Sequence, residues 1–156
     1  MRLPRAAAAL LLAATPFVPP DAPAPLDPVV APLDLLVAPP AEYGMLALIS
    51  GELTRDGRCL LLANGDARSV VIWPAGTRWL ADEEVVVHPS GARIRLGDSF
   101  RTGGGHVPIS HRLATGWLSE ADWRAALACA RKVDFHGVVL NPFSPIEATT
   151  EPAIPG

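Results

Sequence analysis

Gly103-Gly104-Gly105-His106 is the stretch of this chain whose residue types could most directly do chemistry. Consecutive glycines allow several backbone N–H groups to converge on one anion, and a histidine beside them adds a charge or a proton. The run lacks the Lys-Ser/Thr ending of a nucleotide-binding loop and opens no helix, so it also reads as a flexible connector. His106 and His111, with Asp98 upstream, are the residues from which a metal site would be built. Zinc needs three or four ligands converging at ~2.0–2.3 Å, and no His-x-x-x-His or Cys-x-x-Cys pair makes that convergence local. Ser110, His111 and Asp98 supply the groups of a hydrolytic triad, but no Gly-x-Ser-x-Gly elbow frames the serine. Asp82-Glu83-Glu84 brings carboxylates together in what reads as a solvated turn. No catalytic residue and no cofactor is therefore assigned.

The segment Trp73-Pro74-Ala75-Gly76-Thr77-Arg78-Trp79 offers binding rather than catalysis. Trp73 and Trp79 with Arg78 between them suit a stacking platform for a glycan or a peptide. The competing expectation puts Trp73 at the end of a core strand and Trp79 in one mouth of a barrel, because tryptophan buries so large an area. Cys59 and Cys129 are the only cysteines. In an oxidising compartment a single pair is expected to form a disulfide.

The compartment is suggested by the first residues. Arg2 and Arg5 precede the apolar run at residues 6–14, and Pro16, Pro19 and Pro20 follow it. That is the layout of an export signal over residues 1–15, and the run is too short to span a bilayer. An exported, periplasmic or secreted protein that is not an integral membrane protein is the expectation. Ten of the 17 prolines lie before residue 43, so residues 16–42 read as a semi-rigid linker. Its apolar members from Leu33 to Val37 are expected to lie along the domain or a partner, or to form a short edge strand. Residues 147–156 read as an unstructured tail. Residues 43–146 remain as one domain, large enough for a single core. Within residues 43–147, 11 basic residues balance 11 acidic ones, and the net charge of the whole chain is −3. With no basic stripe, nucleic acid is not an expected partner.

The elements that must position these groups are mostly strands. Residues 44–53 form an apolar run, Asp56-Gly57 signals a type I′ hairpin, and residues 58–63 return. Asn64-Gly65 repeats the signal before residues 69–73, which Pro74 stops. Residues 84–88 and 92–96 supply two more strands around Pro89-Ser90-Gly91. Five short strands at this spacing predict a mainly β fold, a small barrel or curled meander. One helix follows, with Ser119 as N-cap, Asp122 closing a capping box, and Trp123, Ala126, Leu127 and Ala130 on one face. Arg131 and Lys132 suit its C-terminal turn. A last apolar segment, residues 137–140, ends at Asn141-Pro142.

The order of Gly57-Arg58-Cys59-Leu60, Trp73-Pro74-Ala75-Gly76, Ser90-Gly91, Leu96-Gly97-Asp98 and the glycine triplet resembles small OB-like β domains of uncharacterised bacterial exported proteins. The similarity spans residues 51–107. It implies an OB-like barrel and carries no catalytic group, since fold alone does not fix function. The leading expectation is an exported, non-enzymatic envelope or ligand-binding module contacting an envelope component, glycan or peptide. Its expected contacts are Trp73, Arg78, Trp79, Gly103, Gly104, Gly105 and His106. One alternative is a small metal-dependent or hydrolytic enzyme using Asp98, His106 and His111. The other is an accessory subunit docking through the apolar linker.

Overall fold

A computed structural model describes residues 33–42, 44–109 and 118–149, all within one compact unit. The expected export segment, His111, Ser110 and most of the expected tail lie outside the described residues. Nine strands and one helix follow in order: β1 (Ala47–Asp56), β2 (Cys59–Asn64), β3 (Ala67–Ile72), β4 (Arg78–Leu80), β5 (Val85–Val87), β6 (Arg93–Arg95), β7 (Ser99–Pro108), α1 (Glu120–Ala130), β8 (His136–Leu140) and β9 (Glu147–Ala148).

The fold is mainly β. Strands β1, β2, β3, β8 and β7 follow one another in the sheet, and β1 pairs back to β7, which closes an OB-like barrel. All pairings are antiparallel except β3 with β8. β4, β5 and β6 form a separate three-stranded sheet.

Two apolar layers result from the alternation of side chains along the barrel strands. Leu60, Leu62, Val71, Val138 and Leu140 point inward, with Ile49, Leu53, Trp73 and Phe100. Val86 and Ile94 of the small sheet join the same cluster, with Trp79 and Leu96 packed against it. Cys59, Leu61, Val70, Ile72, Val107 and Ile109 point outward and meet Ala126, Cys129 and Ala130 of α1. β2 and β3 are thus buried on both faces, which explains why they read as continuous apolar runs.

The turns differ from the sequence expectation by one residue. Asp56 pairs with Cys59 and Asn64 with Ala67, so the two-residue loops are Gly57-Arg58 and Gly65-Asp66. Gly57 and Gly65 have φ of 62° and 57°, while Arg58 and Asp66 are not among the positive-φ residues. Glycine alone in the first loop position is the type II′ preference rather than the expected type I′.

The helix begins as its capping residues dictate. Ser119 Oγ accepts the Asp122 N–H at 3.1 Å and donates to the Asp122 carboxylate at 2.7 Å. The carboxylate therefore takes the serine hydroxyl rather than the serine backbone N–H of a full capping box. Cys59 and Cys129 are disulfide-bonded with Cα atoms 5.6 Å apart, tying α1 to β2. Lys132 adds an ion pair to Asp56 at 2.8 Å. Among the described residues no helix is long and apolar enough to cross a membrane. That and the disulfide are compatible with an exported protein.

The apolar linker belongs to the domain. Leu36 is buried, and Leu33, Leu35 and Val37 pack against the barrel core. Asp34 N–H donates to the Arg58 carbonyl, Trp73 N–H to the Leu36 carbonyl and Ala38 N–H to the Trp73 carbonyl. Residues 33–38, expected as part of the linker, are therefore joined to the barrel by backbone hydrogen bonds and apolar packing. Leu36 is buried and Leu33, Leu35 and Val37 are half-buried, so among the described residues these side chains pack on the domain itself.

Candidate functional site

The glycine triplet is not a connector. Gly103, Gly104 and Gly105 sit in β7, where Gly104 is in register with Ala47 of β1 and Leu140 of β8. Their backbone groups serve the ladder rather than an anion. A Cβ on Gly104 would collide with the Val139 carbonyl oxygen and the Ile49 side chain. One on Gly105 would strike Met45, and one on Gly103 would strike Ser144. The triplet is glycine because β7 is approached closely from several directions where the barrel closes.

The tryptophan platform does not form either. Trp73 is 0% exposed, its ring centroid 6.4 Å from that of Phe100 inside the barrel. Trp79 is half-buried against the same core, on the first strand of the small sheet. Arg78 is exposed at the start of β4. A buried ring cannot stack on a ligand, and of this constellation Pro74 and Ala75 line surface cavities.

Asp98 and His106 stand at opposite ends of β7, roughly 25 Å apart along an extended strand. Ligands to one metal ion must meet within a few ångströms, so these two cannot share one. The Asp98 carboxylate instead accepts the Arg95 N–H at 2.7 Å and shapes the turn into β7. His106 lies near His136 with Asp66, Arg68, Lys132 and Asp134 in a shallow depression of mixed charge. Among the described residues no group of three or more potential metal ligands converges. Asp134 and Phe135 there have φ of 50° and 60°. Phe135 N–H and Val133 N–H both return to the Ala130 carbonyl, so the left-handed pair reverses the chain from α1 into β8.

In open OB barrels the outer face of the second and third strands is the usual ligand surface. Here α1 covers that face, held by the disulfide.

The best-formed concavity is a groove of about 350 Å³ where the chain leaving residue 38 crosses the end of β8. Pro39, Pro40, Ala41, Met45, Pro74 and Pro142 line it, and no charged side chain does. A second hollow shares Pro40, Ala41 and Pro142 and extends past Pro89 to Phe143. Phe143 is exposed. Proline fills these walls because it makes an apolar surface without an N–H to be satisfied.

Asn141 sets the groove's shape. Its side chain accepts the Met45 N–H and donates to the Met45 carbonyl, both at 2.7 Å, taking the place of a neighbouring strand. Its own N–H donates to the Gly103 carbonyl at 3.0 Å. Gly44 is required beside it, since a Cβ there would collide with the Asn141 amide.

His88 supports the adjoining hollow. It is 1% exposed. Nδ1 accepts the Ser90 N–H at 3.2 Å and contacts the Ser90 hydroxyl at 2.8 Å, which leaves the ring proton on Nε2. Burial holds the imidazole below the usual histidine range, opposed by the nearby Asn141 backbone carbonyl. Nε2 makes no hydrogen bond of normal geometry.

Comparison with known proteins supplies no relative: no family model, curated protein or solved structure matches the chain. The site must be read from its own chemistry. Neither the groove nor Asn141's role was anticipated from sequence. The clustering of Pro39, Pro40, Pro74, Pro89 and Pro142 on one surface is a tertiary fact, and each proline read locally as a strand stop or linker.

Proposed function

We propose that this protein is an exported, non-enzymatic binding module of the cell envelope that takes a short apolar peptide segment in the proline-lined groove. The observation that carries the reading is the groove's lining: proline rings, alanines and a methionine, free of charge, beside an exposed phenylalanine. Such a surface recognises aliphatic or proline side chains by shape and dehydration. A glycan fits it less well. Sugars call for free hydrogen-bonding side chains beside an aromatic face, whereas Asn141, the one polar side chain in the groove's lining, is committed to Met45. Export is supported by the basic and apolar N-terminal pattern together with the Cys59–Cys129 bridge.

The test is an amide-resolved NMR titration with uncharged peptides of alternating proline and leucine. Shifts confined to residues 38–45 and 139–143, lost in Ala41→Arg with the fold intact, are the expected result. Saturating addition with no shifts there would sink the proposal.

A further inference from the structure

Among the described residues, one stretch of strand edge on β1 has no neighbouring strand. Leu53 exchanges both backbone hydrogen bonds with the turn before β7: its N–H goes to the Asp98 carbonyl and its carbonyl receives the Gly97 N–H. Backbone direction alternates along a strand, so odd-numbered residues of β1 face β7 and even-numbered ones face the other way. From Glu52 onward that other neighbour is β2, which begins its pairing opposite Ala63 and ends at Asn64. Leu48 and Ser50 lie beyond its end. The Ser50 carbonyl receives the Asn64 side-chain amide at 3.2 Å. The N–H and carbonyl of Leu48 and the N–H of Ser50 meet no strand among the described residues. Beside them Leu48 is 70% exposed and Leu46 104%.

Natural sheets guard such edges with lysine, proline or a bulge. Residues 44–51 (GMLALISG) contain no charge and no proline. We propose that this edge pairs with the same edge of a second copy of the chain, antiparallel across a two-fold axis. An isologous contact requires a surface complementary to itself. An uncharged strand meets that condition, since an identical strand opposes it with no like charge. Leu48 lies on the axis, where it faces its own counterpart and donates and accepts one hydrogen bond each way. Glu52 of each copy stays paired with Ala63 of its own β2, so the ladder between copies ends at Ser50 and the two carboxylates lie roughly 25 Å apart along the paired strands. Centring on Ser50 would halve that separation and run the partner strand into β2, which already pairs with Glu52 and Thr54. The contact spans about five residues per copy, smaller than a standard interface, so it is a reversible equilibrium rather than an obligate dimer.

This edge adjoins the proline-lined groove through Met45, whose backbone is bonded to Asn141 and takes no part in the pairing, and its test is independent of the groove proposal. Sedimentation velocity of the oxidised protein, from low micromolar to near-millimolar concentration, should show a monomer–dimer equilibrium. Leu48→Lys should weaken it at least about tenfold, while Ala41→Arg in the groove leaves it unchanged. Hydrogen exchange of the unmodified protein supplies a readout that needs no variant: Leu48 amide protection should rise with concentration. A monomer throughout the range, or a dimer that Leu48→Lys leaves intact, overturns the proposal, as does a Leu48 amide whose exchange ignores concentration.

Discussion

The barrel interior and the layer beneath α1 bury similar aliphatic side chains but are held by different means. The interior is enclosed by five strands whose ladder returns on itself, and each strand is fixed by two neighbours. The helix layer rests on small residues, Ala126, Cys129 and Ala130, which bring little area of their own. It is the second layer that carries the crosslink and the Lys132–Asp56 pair. A closed sheet is self-supporting, whereas a short helix is marginal alone and needs attachment. The comparison shows where this chain required covalent help.

The contrast can be broken or sharpened by experiment. The largest effect should come from Gly104→Val, which sets a branched side chain against the Val139 carbonyl oxygen and Ile49. Neither can move without opening the ladder, so the loss should exceed the ~3 kcal/mol usual for overpacking and leave no folded barrel by circular dichroism. Next is the disulfide. Closing a loop with a sequence separation of 70 stabilises by about 4 kcal/mol in the chain-entropy model. Cys59→Ala with Cys129→Ala should lower stability toward that figure, and α1 amides should lose exchange protection before those of β3 and β8. Simultaneous loss in both layers would show that they are one cooperative unit. Ser119→Ala removes the N-cap bond and should cost about 1 kcal/mol in chemical denaturation, again expressed first in α1.

The smallest effect is a pH dependence. His88 is held neutral in the folded state, below its ordinary value of 6.5. The unfolded chain then binds the extra proton, so stability is full above that value and declines as pH falls through it toward the lowered folded value. His88→Gln should flatten that slope. An unchanged slope would assign it to other groups.

Much of the fold was legible because local chemistry and tertiary packing agreed. Ser119 and Asp122 announced the helix start, and Gly57 and Gly65 announced two hairpins, displaced by one residue because a glycine in the first loop position suffices for type II′. The doubly buried β2 and β3 read as apolar runs. β7 was missed because its signature is absence: Gly103, Gly104 and Gly105 are selected by what presses against them, and no periodicity records that. The parallel pairing of β8 with β3 was equally invisible, since it depends on contacts across more than sixty residues. The site fared worse than the fold. Among the described residues Trp73 is core, Trp79 packs against it and His106 lines a shallow depression, while the groove is made largely of prolines and alanines that carry no chemical signal singly.

The position of β8 governs when this chain can fold. It lies between β3 and β7, and its residues 136–140 come after every other barrel strand. Until they arrive, both flanking strands present bare edges backed by apolar surface, and Cys59 waits for a partner on the helix just upstream. A chain emerging N-terminus first therefore cannot complete its barrel piecemeal. Closure is a late, single event of high contact order, slow to reach and exposed to mispairing until it happens. β8 acts as the keystone: a nascent or truncated chain lacking it should be a substrate for chaperones and proteases rather than a smaller version of the same domain.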